Sequence, residues 1–382
     1  MVFGFNSFAQ TASSSTTSSD TAKNESFADK ANAFNAFMEK AIVYIPVPIF
    51  SISKETGKLF GITKFNDFKI GLSGKNDSTI TQPSTVSGLI YFTEKKQFKV
   101  NVEMDLMFKE NKNNLKSRFT YFSFPLLFYG VGNNTIKESA KTVLYETIEF
   151  EGSWKHQVKP KHFVGIKYLY SNALTVKYFD STEFDQGIPP SYDVTENAGL
   201  TSGSGLIYMY EGRDNRLNAF NGMYVNVEYS FYTDWLGADF EYDHLTIDIR
   251  KYFTLVDTNR LILATQFVSE FVSDGANIQG LATLGGPKGV RGVYYGRFRD
   301  YAAMQLNAEL RFPLFWIIGG TVFGGMGQVA PSLGKFAFNK NHYTYGAGFR
   351  LMISSKNRVN LRLDFGFSED ENTFVLGFSE AF

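Results

Sequence analysis

The sequence predicts an all-β protein, a closed antiparallel transmembrane β-barrel of about 16 strands. Three observations indicate this class. From Ile42 onward, apolar and polar residues alternate one by one, which is the period of a β-strand. Aromatic residues make up 16% of the chain, with Phe 39 and Tyr 21. No stretch offers the ~20 consecutive apolar residues that a membrane helix needs.

The N-terminal region lacks this alternation and divides into three segments before a barrel at 42–382. Residues 1–10 match the tail of a secretory signal peptide without its basic start, and a flexible terminus is the alternative. Residues 11–26 are rich in Ser and Thr, which predicts disorder. Residues 27–41 predict a short amphipathic helix, because four apolar residues recur at helical spacing, namely Phe27, Ala31, Phe34 and Met38.

The strand periodicity is clearest between Phe98 and Lys109, where one face is apolar and the other carries Lys, Asn, Glu and Asp. The same division recurs at 304–311 and at 361–367. It places Glu309 and Asp364 on polar faces, which line the interior of a membrane barrel. A soluble β-sandwich shows the same alternation, so the number of predicted strands is what favours the barrel. No shift in composition marks a second domain.

Polar hairpins and an aromatic terminus complete this prediction. The segment 53–57 joins the first two strands, and 369–372 joins the last two. Closing the sheet removes open edges, whose unpaired backbone groups are costly in lipid. The last strand is predicted to carry a C-terminal barrel signal on one face, formed by Phe374, Leu376, Phe378 and Phe382.

Composition and motifs argue against several other functions. The formal net charge is +0, so nucleic acid is not an expected partner. The chain has no Cys, which excludes disulfides and thiolate chemistry. His156 and His162 flank a turn without a third ligand nearby, so isolated surface histidines are favoured over a metal site. We expect no catalytic residues, no metal and no cofactor, and therefore no enzyme.

A long connection at 284–300 is rich in Gly and Arg. It joins two strand-like segments, and such loops usually decorate a surface. On this interpretation Arg291 is a solvated loop arginine, like Arg297 and Arg299.

Several motifs in the second half of the chain resemble the BamA/TamA superfamily, also called the bacterial surface antigen family. They follow the family's order over roughly 200–382, and the N-terminal half matches only in style. The motifs are Gly212-Arg213-Asp214-Asn215-Arg216, Leu284-Gly285-Gly286, Gly289-Val290-Arg291-Gly292, Glu309-Leu310-Arg311-Phe312-Pro313-Leu314, Leu361-Arg362-Leu363-Asp364-Phe365-Gly366 and the C-terminal Phe.

The resemblance implies a sixteen-stranded barrel whose long loop folds into the lumen. It also implies a lumen-loop anchor, formed here by Gly286, Val290, Arg291 and Gly292, in which the arginine contacts acidic residues of the inner wall. The wall strand that often carries an acid reads Phe323-Gly324-Gly325-Met326-Gly327, so Gly325 replaces that acid. Glu309 and Asp364 are then the candidate partners.

The family inserts or translocates proteins at the bacterial outer membrane, usually with periplasmic polypeptide-transport-associated domains before the barrel. About 40 residues precede the first predicted strand, so the resemblance is to a barrel without these domains. Expected partners are outer-membrane lipid, unfolded barrel proteins and periplasmic or lipoprotein partners. A passive ion or small-solute channel and a structural subunit of a larger surface complex are the alternatives.

Overall fold

The structure of the chain is a computed structural model that describes residues 33, 37, 46–53, 57–70, 81–178, 198–256, 260–286, 289–355, 357–369 and 371–382. The segments predicted at 1–10 and 11–26 lie outside the described residues. Of the helix predicted at 27–41, only Ala33 and Phe37 are described, and both are helical.

Sixteen strands form one antiparallel sheet in which each strand pairs with its neighbours in the chain, apart from a two-stranded hairpin inside the connection between the eleventh and twelfth sheet strands. In chain order the strands are β1 Val47–Ser53, β2 Gly57–Phe68, β3 Ser84–Thr93, β4 Phe98–Phe108, β5 Asn113–Phe128, β6 Lys141–Lys159, β7 His162–Tyr178, β8 Gly199–Glu211, β9 Gly222–Tyr232, β10 Tyr242–Val256, β11 Leu261–Val272, β12 Ala282–Thr283, β13 Arg299–Asp300, β14 Ala302–Phe315, β15 Ile318–Ala330, β16 His342–Ser354, β17 Val359–Ser368 and β18 Asn372–Phe378. Within the described residues, the connections contain four short 3-10 helices, at Lys137–Ser139, Asp234–Leu236, Leu333–Lys335 and Phe338–Lys340. The predicted all-β class and strand number are confirmed.

The two ends of the sheet come together. Phe65 of β2 stacks on Phe378 of β18, with ring centroids 5.0 Å apart. The strands at the beginning and end of the chain therefore face each other, as a barrel requires.

The two faces of the sheet have the polarity of a membrane barrel. Large apolar side chains are exposed on its outside, for example Phe50, Ile166 and Tyr345. Charged side chains are buried on its inside, for example Arg350 and Glu309. A soluble protein has the opposite distribution, whereas lipid outside and a polar lumen inside explain this one. Among the described residues, no helix is long and apolar enough to cross a membrane.

A long connection between β11 and β14, the lumen loop (residues 273–301), enters the barrel. Seven of its apolar residues belong to a buried cluster with Ala303 of β14 and Val329 of β15, and these are Ala276, Leu281, Ala282, Leu284, Val290, Val293 and Phe298. The loop's own hairpin, β12 with β13, pairs Ala282 with Asp300 and Thr283 with Arg299. The lumen loop therefore lies inside the barrel and packs against the wall at β14 and β15.

The opposite end of the barrel, where β8 joins β9, is crossed by the turn at 212–221, and we refer to it as the turn end. Arg216 of this turn donates two hydrogen bonds to Asp105 of β4, at 2.6 and 2.7 Å. Asn215 donates to the carbonyl oxygen of Asn357, between β16 and β17, at 3.2 Å. The turn thus links distant parts of the wall.

Candidate functional site

Arg291 lies inside the barrel with its guanidinium between two carboxylates. Its Nη2 is 2.6 Å from Oε2 of Glu309 on β14, and its Nη1 donates to Oδ2 of Asp364 on β17 at 2.7 Å. Arg291 is 2% exposed, and the two acidic side chains are 0% exposed. The structure thus brings together the three residues that the sequence selected as anchor and partners, and it places the guanidinium away from solvent.

The backbone of the lumen loop positions Arg291 by running close against β17. Gly292 has a φ of +117°, and a Cβ there would lie 2.7 Å from the carbonyl oxygen of Phe367. The hydroxyl of Ser368 donates to the carbonyl oxygen of Gly292 at 2.8 Å. Gly286 also has a positive φ, +91°. Position 292 requires a positive φ and leaves no space for a Cβ. Only glycine satisfies both requirements, since other residues rarely adopt this φ and all carry a Cβ.

Gly325 makes room for the lumen loop. A Cβ on Gly325 would lie 2.9 Å from Cγ1 of Val290, which is fully buried. The backbone N–H of Val290 donates to Oε1 of Gln305 at 3.1 Å. Phe323, two residues before Gly325 on β15, places its ring 3.6 Å from the Arg291 guanidinium carbon. The position that carries an acid in the resembling family is therefore covered here by the side chain of Val290.

Four further side chains join Arg291, Glu309 and Asp364 in what we call the lumenal charge cluster. The added members are Arg311, Arg350, Arg362 and Glu380. Arg311 Nε donates to Glu309 at 2.6 Å, and Arg350 Nη1 donates to Asp364 at 2.6 Å. Four guanidinium groups thus meet three carboxylates, which leaves a net charge of +1. Removing one partner of such a buried pair typically costs ~3–5 kcal/mol.

Sequence reasoning did not select Arg350 or Glu380, although the sequence held a signal for the first. Arg350 lies between Phe349 and Leu351 on an alternating strand, so its inward direction was readable. The direction of Glu380 was not readable, because the strand period ends just before it.

The lumen loop has further attachment points outside the lumenal charge cluster. The backbone N–H of Tyr294 donates to Oε2 of Glu371 at 2.8 Å, and the hydroxyl of Tyr129 donates to Oε1 of the same carboxylate at 3.2 Å. Burial raises the pKa of the Tyr129 phenol, and the nearby Glu371 carboxylate raises it further. Arg297 donates to the carbonyl oxygen of Thr135 at 2.8 Å. The connections β5–β6 and β17–β18 therefore hold the loop beside its central anchor.

The C-terminal residues differ in part from the predicted single face. Phe374 and Leu376 are exposed on the outside of β18, and Phe378 is half-buried against Phe65. Phe382 is 7% exposed inside the barrel, in a cluster with three residues of the β8–β9 turn, β10 and β11, namely Ala219, Tyr252 and Ala264. The expectation that Phe382 shares one face with Phe374 and Leu376 is wrong, because Ser379 adopts a φ of +62° and redirects the chain inward.

The histidines show no shared metal geometry. His156 bonds Asn113, and His162 bonds Tyr208. Within the part of the chain that the structure describes, no group of three or more His, Asp or Glu is arranged to hold a metal ion.

An apolar outer face, a charged lumen and a loop anchored inside it define an integral outer-membrane β-barrel of bacteria. The sequence profile of the Omp85 superfamily domain matches residues 69–382, so the chain belongs to the Omp85 superfamily. This confirms the resemblance to BamA/TamA proteins. No curated protein matches the chain.

Two solved structures share the fold. BamA from Haemophilus ducreyi lacking POTRA domains 1-3 is 12% identical with a TM-score of 0.50, and the match covers 92% of this chain and 78% of that one. CdiB from Acinetobacter baumannii is 11% identical with a TM-score of 0.54, over 87% of this chain. The match spans 58% of the length of CdiB. At these identities the likeness shows the fold alone.

Proposed function

We propose that this barrel inserts or translocates polypeptides at the bacterial outer membrane. The observation that carries the proposal is the lumen loop, held inside an Omp85-superfamily barrel through Arg291, Glu309 and Asp364. A loop anchored inside the barrel obstructs steady diffusion through a pore, which favours a task other than passive conduction. The activity is transport or insertion, without catalytic chemistry.

The route for a substrate is the seam between the first and last strands of the sheet. β1 and β18 have 7 residues each, whereas β5, β6 and β7 have 16, 19 and 17. Short edge strands offer few backbone hydrogen bonds to break, and an exposed edge can accept another strand. An incoming barrel strand would pair with this edge beside the lipid. The proposed partners are therefore unfolded barrel proteins, outer-membrane lipid, and periplasmic or lipoprotein components that deliver the substrate.

A passive channel is the second candidate, and the turn end offers a specific observation about it. Arg216 of the crossing turn pairs with Asp105 there, and the lumen loop packs against the inside of the wall elsewhere. A channel would have to move both obstructions. Steady conductance in planar bilayers that loop substitutions leave unchanged would favour this candidate. A structural subunit of a surface complex would instead copurify with a stable partner and show no conductance.

Depletion of the protein in its native host, followed by quantification of the outer-membrane proteome, tests the proposal. The expected result is a selective loss of other barrel proteins or of a secreted substrate class, while lipoproteins anchored only by lipid remain. An intact outer-membrane and secreted proteome after depletion would contradict it.

A further inference from the structure

The four residues after β18, the C-terminal segment (residues 379–382), turn into the lumen. The N–H of Ser379 donates to the carbonyl oxygen of Asn360 on β17 at 2.7 Å. The N–H of Glu380 donates to the carbonyl oxygen of Leu217 in the β8–β9 turn at 3.3 Å. The segment thus leaves the seam strand and contacts the turn that crosses the barrel.

Glu380 completes the lumenal charge cluster. Its side chain is 2% exposed, and its Oε2 accepts a hydrogen bond from Nε of Arg350 at 2.7 Å. Its Oε1 accepts one from Nδ2 of Asn360 at 2.7 Å, and Nε of Arg311 lies 3.6 Å from Oε2. Glu380 therefore faces the lumen. A buried carboxylate with three donors nearby is specifically bound.

The two arginines that hold Glu380 also hold the partners of Arg291. Arg311 pairs with Glu309 at 2.6 Å, and Arg350 pairs with Asp364 at 2.6 Å. Arg311 further donates through Nη2 to the carbonyl oxygen of Phe382 at 3.1 Å. Arg350 also lies 3.6 Å from Glu309, so each arginine bridges the C-terminal segment and at least one acid of the loop anchor.

The charge balance of the cluster depends on Glu380. With it, four guanidinium groups face three carboxylates, and without it they face only Glu309 and Asp364. Like charges in a buried site destabilise one another strongly. Glu380 supplies the third carboxylate from the segment that follows β18, whereas Glu309 and Asp364 lie on β14 and β17.

We propose that Glu380 is a positioning residue for the lumen loop: it orients Arg311 and Arg350 so that Glu309 and Asp364 bind Arg291. Because the C-terminal segment follows β18 directly, movement of β18 away from the β1–β2 end of the sheet withdraws Glu380 and weakens the hold on the loop. The seam and the lumen loop are therefore coupled through side-chain charge. The meaning of this coupling for insertion depends on the proposed function, but the coupling itself does not.

Trypsin cleavage of the lumen loop in the folded barrel measures this role, because Arg291, Arg297 and Arg299 are potential cleavage sites in that loop. Glu380→Gln should speed cleavage there by about tenfold, which corresponds to about 1.4 kcal/mol in the opening equilibrium. The matched control is Glu110→Gln, on the exposed β4–β5 turn. Its lumen loop should be cleaved at the native rate. Migration of the unheated barrel on gels verifies that each variant is folded.

A double-mutant cycle separates positioning from general destabilisation. If Glu380 acts through Arg350, Glu380→Gln and Arg350→Gln together should raise the cleavage rate by less than the product of their separate effects. Should Glu380→Gln fail to assemble, Asn360→Ala keeps all seven charges while removing one hydrogen bond to Glu380. That variant should give a smaller rise in lumen-loop cleavage.

Native cleavage rates in Glu380→Gln, or in Asn360→Ala where it serves as the substitute, would overturn the proposal. Fully multiplicative effects of Glu380→Gln and Arg350→Gln would overturn it as well. An unchanged proteome after depletion would instead refute the proposed function and leave the loop result standing.

Discussion

Replacing Arg291 by alanine perturbs the lumen loop at its central anchor. The change removes ion pairs of 2.6 and 2.7 Å and a guanidinium 3.6 Å above the Phe323 ring. Glu309 keeps Arg311 at 2.6 Å and Asp364 keeps Arg350 at 2.6 Å, so neither acid becomes unpaired. The cluster changes from a net charge of +1 to neutrality. We therefore expect a cost at the low end of the range for buried pairs, about 3 kcal/mol.

This cost falls on loop docking rather than on the sheet, because the sixteen-strand ladder is unchanged. About 3 kcal/mol corresponds to about a hundredfold shift in the equilibrium between docked and released loop. Trypsin cleavage within the lumen loop should rise by a similar factor, and the barrel should unfold at a lower temperature on heated gels. Arg297→Ala is the control at the loop's outer contact and should release the loop less. If Arg291→Ala cleaves and unfolds like the native protein, Arg291 is no anchor.

Three other substitutions test neighbouring parts of the account. Asp364→Asn should lower the unfolding temperature of the barrel more than Arg291→Ala does. The substitution leaves the cluster with a net charge of +2, and three guanidinium groups lie 2.6 to 3.4 Å from the Asp364 carboxylate that it removes. A smaller effect than that of Arg291→Ala would contradict this ordering. Gly292→Ala should make the lumen loop accessible to trypsin while the barrel still folds, because a Cβ would lie 2.7 Å from a carbonyl oxygen of β17. A loop that stays protected would count against the close approach of Gly292 to β17. Arg216→Ala should increase the frequency of conductance steps in planar bilayers, since it removes the ion pair with Asp105 at the turn end. Bilayers without additional conductance steps would show that this pair does not close the lumen.

Much of the wall was readable from the sequence because a strand has a period of two. Glu309 and Asp364 were assigned to the lumen by alternation alone, and the structure places both there. The side chains around them depend on local breaks in that period. By residue number, Glu380 and Phe382 should continue the face of β18 that carries Phe374 and Leu376. The positive φ of Ser379 ends the alternation before them. No pattern of residue types specifies that single backbone angle.

The complementarity between loop and wall was also beyond the sequence. Gly325 suggested a missing acid, and the reason for it became visible only with the side chain of Val290 in the same space. Likewise, the motif containing Arg216 indicated a family resemblance but not its partner, since Asp105 lies more than a hundred residues earlier on β4. Such contacts depend on the closure of the sheet, which brings distant strands within reach.

Disulfide formation between Val290→Cys and Gly325→Cys in intact outer membranes tests most directly whether the lumen loop lies inside the barrel. The native chain has no Cys, so the engineered pair is unique. A Cβ at position 325 would lie 2.9 Å from Cγ1 of Val290, which brings the two Cβ atoms near the ~3.5–4.5 Å of a disulfide. Val290→Cys with Gly324→Cys, one residue away on β15, is the matched control and should remain reduced. We predict that the 290–325 pair oxidises spontaneously and becomes inaccessible to maleimide. Two free thiols that react readily with maleimide would contradict a lumen loop held against the wall.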